Sequence, residues 1–135
     1  MNTHSIFKRI IIFFIFCIFS IALLIAAPPD TPSHLTTCYK TNPVGVHEPF
    51  FGWYMNDSDN NEIQTAYQII VASSQSNINK NTGDMWDSGK ISSRSQAVIE
   101  YNGSTLESGT QYFWKVKLWD KDNNASPFSS TATFD

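Results

Sequence analysis

Two runs in the chain place oxygen-bearing side chains at alternate positions, the spacing with which a loop wraps a calcium ion. They are Asp57, Asp59 and Asn61, and Asp120, Asp122 and Asn124. Neither run carries the rest of that pattern. Its sixth position needs glycine for a sharp turn and holds Glu62 or Ala125, and its twelfth, a glutamate, is Gln68 or Thr131. Both are read as solvated turns, and no metal site is expected. Zinc has no ligand set either, since His34 and His47 are far apart in sequence and Cys38 has no sulfur neighbour. The Gly-x-Ser-x-Gly nucleophile turn is missing, as is a glycine-rich phosphate loop. Hydrolysis of a glycoside needs two carboxyl groups facing across a cleft, roughly 5 to 10 Å apart. Glu48, Asp87 and Glu100 are the acids nearest apolar context, but a domain this small offers no deep cleft to hold them. No catalytic, cofactor-binding or metal-binding residue is therefore assigned. Trp86 and Trp119 fall outside the inward-facing pattern set out below, which makes them the candidates for a ligand or interdomain contact. Asn56, Asn102 and Asn124 each open an Asn-x-Ser sequon in a turn, and would accept glycans in a eukaryotic secretory pathway.

The elements around these residues read as strands. From Tyr112 to Leu118 the even-numbered residues Tyr112, Trp114, Val116 and Leu118 are apolar, with Lys115 and Lys117 between them. That period of two marks a half-buried strand. A loop containing Gly109 precedes it, so Tyr112 stands where a tyrosine hydroxyl closes back on the upstream backbone at a Greek-key corner. Phe51, Trp53 and Met55 share one face of a second strand, and Tyr67, Ile69 and Val71 one face of a third. Leu35 to Lys40 fits an edge strand, Met85 to Lys90 a short strand entering a turn, Gln96 to Tyr101 a strand with Val98 inward, and Ser129 to Phe134 the last strand. Ser73 to Asp84, rich in Ser, Asn and Gly, reads as a long surface loop. No helical periodicity follows the leader. About seven short antiparallel strands between turn signals describe an all-β sandwich of the immunoglobulin or fibronectin III kind.

Ahead of it, Lys8 and Arg9 precede an apolar run from Ile10 to Ala27, and Pro28-Pro29 ends any helix. Residues 1–27 are expected to be a hydrophobic export helix, either cleaved as a signal peptide near Ala26 or Ala27, or kept as a membrane anchor over residues 10–27. Either way the remainder is exported, to the exterior or the periplasm, and touches a membrane only through an uncleaved leader. Residues 28–41 are expected as an extended lead and 42–135 as the sandwich. Without Lys8 and Arg9 the chain carries 7 basic and 12 acidic residues, a formal charge of −5, which with no basic cluster excludes a nucleic-acid partner. Cys17 lies in the leader, so Cys38 has no internal disulfide partner and is read as a small buried hydrophobe or as awaiting an external partner.

Several phrases occur together in a familiar order: Pro43-Val-Gly45-Val46, Pro49-x-Phe51-x-Trp53, Gln64-Thr-Ala-Tyr67-Gln-Ile69, Trp86-Asp-Ser-Gly89-Lys90, Tyr101-x-Gly103 and Tyr112-x-Trp114-Lys-Val116-x-x-Trp119-Asp120. From about Asn42 to Phe134 the chain resembles the N-terminal fibronectin-III-like domain of bacterial-type α-L-rhamnosidases, glycoside hydrolase family 78. The resemblance implies a parent enzyme that releases terminal α-L-rhamnose with inversion, its acid and base on a downstream (α/α)6 barrel. It implies those downstream domains, and rhamnose-containing glycans, as partners, with no cofactor. No position here matches a catalytic residue of the family, so the chain is expected to be a fragment, inactive alone. The alternative is a tethered or secreted adhesion or carbohydrate-binding module.

Overall fold

A computed structural model describes residues 26–58 and 61–135; the expected leader helix up to residue 25, and Asp59 of the first acidic run, lie outside the described residues. Among the described residues no helix is long and apolar enough to cross a membrane. Among the described residues eight strands occur in chain order: β1 (Ser33–Thr37), β2 (Phe50–Tyr54), β3 (Ala66–Ala72), β4 (Trp86–Asp87), β5 (Ile91–Ser92), β6 (Ile99–Glu100), β7 (Tyr112–Trp119) and β8 (Ala132–Phe134). A short helix, α1 (Gln75–Asn79), follows β3. Strands β1, β2 and β6 form one sheet; β4, β3, β7 and β8 form the other, where β5 also pairs with β3. Every pairing is antiparallel.

The alternation in β7 is realised as the sequence predicts: Tyr112, Trp114, Val116 and Leu118 are buried, and the residues between them half-buried. The strand registers along β3 from Ala66 opposite Trp119 to Ala72 opposite Phe113, so Tyr67, Ile69 and Val71 join the same inner face. Phe51 and Trp53 of the smaller sheet close the other side. The Phe51 ring lies 4.5 Å from that of Trp114 and 5.8 Å from that of Phe134, and Trp53 meets Tyr67 edge-on at 5.3 Å. At the corner before β7 the Glu107 N–H donates to the Tyr112 hydroxyl at 2.8 Å, as expected of a tyrosine there.

The Trp86-to-Lys90 phrase has a local physical cause. β4 and β5 both lie on the free edge of β3, and the chain must bulge between them. Gly89 takes a positive φ of 61°, and its N–H donates to the Asp87 carboxylate at 2.9 Å. Ser88 replaces a ladder partner: its N–H donates to the Ile69 carbonyl while its hydroxyl accepts from the Ile69 N–H.

Four expectations need correction. Ser73 to Asp84 is not a plain loop, since α1 lies within it, capped by the Ser74 hydroxyl accepting from the Asn77 N–H. The helix buries Ile78 beside Ile70 and Ala72 on the outer face of the larger sheet. Five residues are too few to display a helical period, and packing rather than propensity holds such a turn. Val98 is 52 % exposed, not inward, with a φ of 56°. Ile99 and Tyr101 pack on the core instead, because a one-residue change of phase moves a whole strand to the other face. The last strand is shorter than expected: Ser126 and Ser129 pair with β7 through backbone and side chain alike, their hydroxyls accepting from the N–H groups of Leu118 and Val116. Finally, the first strand runs over Ser33–Thr37 rather than Leu35 to Lys40, and ahead of it Pro29 and Pro32 are already buried and the Asp30 N–H donates to the Asn56 carbonyl.

Candidate functional site

The two tryptophans singled out from the sequence stand apart. Trp86 registers with Val71 and Trp119 with Ala66, five residues along one strand and therefore about 17 Å. Trp86 is half-buried against the core, 6.2 Å from the Phe51 ring and 5.5 Å from that of Tyr101. Trp119 has the Lys90 ammonium 4.6 Å and the Lys117 ammonium 5.1 Å from its ring centre, each a cation–π contact of about 0.5–1 kcal/mol at an exposed site. The pair forms no shared platform. Beside Trp86, the Tyr101 hydroxyl donates to the Ser104 carbonyl at 2.7 Å, and burial pushes its pKa up to about 12.

Glu48 and Glu100 border one open cleft with His47, Phe50, Tyr101 and Leu106, while Asp87 lies elsewhere, on the β4 edge. All three acids are exposed, and nothing encloses them as a hydrolytic pair would need. Cys38 is half-buried, its thiol 3.7 Å from the Glu48 carbonyl. Of the sequon asparagines, Asn102 is exposed, the Asn56 amide donates to the Thr31 carbonyl, and the Asn124 amide donates to Asp120.

Parts of the two acidic runs, each rejected alone, meet in space. Carboxylate oxygens of Glu62, Asp120 and Asp122 lie within 4.8 Å of one another. Pairing of β3 with β7 brings this about, since the Thr65 N–H donates to the Trp119 carbonyl and the Thr65 hydroxyl donates to that of Asp120 at 2.6 Å. Glu62 counted against the first run by occupying its glycine position, and only the pairing of distant strands gives it neighbours. Gln64 is the other residue whose role the sequence concealed. It is 1 % exposed, accepts from the Trp53 indole N–H at 2.9 Å, and donates to the carbonyls of Ser93 and Ser95.

A model of the Rha78A-like, N-terminal immunoglobulin domain matches residues 32–135. An α-L-rhamnosidase of Formosa agariphila is 36% identical over 97 residues, which are 70% of this chain and 10% of that protein. The solved α-L-rhamnosidase from Dictyoglumus thermophilum superposes with a TM-score of 0.74 at 48% identity, covering 76% of this chain and 12% of that one. The Streptomyces avermitilis α-L-rhamnosidase complexed with L-rhamnose gives 0.71 at 33% identity, over 77% of this chain and 10% of that one. The chain thus spans about a tenth of the length of the relatives it matches.

Proposed function

The chain belongs to the family of Rha78A-like N-terminal immunoglobulin domains, and from that premise we propose that it is a non-catalytic module, a sandwich of the fibronectin III kind, that packs against further domains of an α-L-rhamnosidase. The observation that carries this reading is the family match across residues 32–135 in a chain that spans about a tenth of its relatives. The rest of their length has to hold chemistry for which the exposed Glu48, Asp87 and Glu100 provide no enclosed pair.

The outer face of the smaller sheet is the surface proposed for that packing. Tyr39 is 72 % exposed and Tyr54 63 %, and large apolar groups left in water are what an interdomain contact removes. The floor between them is Gly52, where a Cβ would stand 3.0 Å from the Thr36 hydroxyl and 3.4 Å from the Gln96 carbonyl. His34 lies tilted against Tyr54 and Phe50 meets Tyr39 edge-on, with ring centres 5.0 and 4.8 Å apart, so the walls of the groove are already set.

The purified chain incubated with an aryl α-L-rhamnoside is expected to release no rhamnose above the uncatalysed blank. Steady release that scales with protein concentration would overturn the non-catalytic reading.

A further inference from the structure

We propose that Glu62, Asp120 and Asp122 form a binding site for a hard divalent cation of the calcium type, at the end of the sandwich where the approach to β3 meets the turn after β7. Three carboxylates converge there, their oxygens within 4.8 Å of one another. Two oxygens on a single calcium ion stand at most about 5.2 Å apart, twice the Ca–O length of 2.3–2.6 Å, and every pair among the three lies inside that limit.

The burial points the same way. The Glu62 side chain is 3 % exposed, and while one of its oxygens accepts from the Lys121 ammonium at 2.6 Å, the other, Oε2, is buried with no hydrogen-bond partner. A carboxylate oxygen removed from water and left unpaired is costly, and a cation is the ligand that would offset that cost. Asp120 is fully buried, and the turn fixes it: Oδ1 accepts from the N–H groups of Asp122 and Asn124 at 2.9 and 2.8 Å, and Oδ2 from the Asn124 amide at 3.1 Å. Each oxygen of a carboxylate has two lone pairs, so Oδ2 keeps one for a metal. Asp122 is exposed, which leaves the site open to solvent and lets water complete the six to eight ligands that calcium takes. Lys121 supplies one positive charge against three negative ones; Asp57 and Arg94, of opposite sign, line the cleft that Glu62 borders. The inference stands apart from the rhamnosidase reading.

Terbium, which occupies calcium sites, provides the probe, because Trp119 adjoins Asp120 and can sensitise its emission. The full chain, kept in mild non-ionic detergent on account of the apolar run from Ile10 to Ala27, is titrated with terbium and then with calcium chloride. Saturable emission displaced by calcium is expected, and a Tm several degrees higher in calcium than in chelator. Asp122→Asn, an exposed change that leaves the turn's hydrogen bonds in place, should weaken binding about tenfold or more, as should Glu62→Gln, through loss of ligand charge. The remote change Glu107→Gln should leave it unaltered. No saturable emission, or equal affinity in the parent chain and Asp122→Asn, would sink the proposal even if Glu62→Gln did not fold.

Discussion

Trp114→Ala is expected to destabilise the chain by about 4 kcal/mol, close to the whole stability of a small domain. Trp114 is fully buried at the centre of β7, with the Phe51 ring 4.5 Å away and Val71 and Ala132 as its neighbours on either strand. Removing the indole deletes its transfer free energy and leaves a cavity that two hydrogen-bonded sheets cannot collapse to fill. Trp114→Phe should be far milder, about 1–2 kcal/mol, because the Trp114 indole N–H is buried with no partner and phenylalanine discards only a donor that satisfies nothing. Urea unfolding followed by circular dichroism measures both. A loss under about 1.5 kcal/mol for Trp114→Ala would mean that the two sheets do not close over this residue.

Gln64→Met should cost about 3 kcal/mol although it preserves shape and length. The substitution strands three groups together: the Trp53 indole N–H and the Ser93 and Ser95 carbonyls, which Gln64 now joins from a position 1 % exposed. Leaving a buried polar group unpaired costs about 1–3 kcal/mol, and the three are coupled through one side chain. A double-mutant cycle with Trp53→Phe isolates the indole bond, whose coupling should be about 1–2 kcal/mol. Strict additivity of the two changes would show that the bond contributes nothing.

What was readable in the chain and what was not divides along physical lines. β7 was legible because each residue's burial follows from its own place in a period of two, and the lysines at 115 and 117 fixed which face met water; in β3 the inner face of Tyr67, Ile69 and Val71 follows the same period, whereas Ile70 and Ala72 are buried on the other face beneath α1. The phrase around Ser88 and Gly89 was recognisable, but its cause, a serine hydroxyl standing in for a ladder partner of Ile69, appears only once β3 is beside it. Val98 was misplaced because an isolated β-branched residue carries no phase of its own, and the left-handed backbone it adopts resets the alternation. Helix α1 left a single apolar residue, Ile78, as its trace. The acidic site was the least legible. Its members lie 58 and 60 residues apart in sequence, from Glu62 to Asp120 and Asp122, and a template for one continuous loop excludes by design a site assembled from two.

The most direct test of the account is a chimera in which residues 32–135 replace the matching module of the Dictyoglumus thermophilum α-L-rhamnosidase, at 48% identity. If the module supports the enzyme without entering its chemistry, the chimera should hydrolyse an aryl rhamnoside with kcat/KM within about threefold of the parent. Tyr39→Ser with Tyr54→Ser should then lower its Tm while leaving kcat unchanged. A chimera that melts like the parent but has lost its turnover would contradict the account, since it would place part of the catalytic machinery in this sandwich.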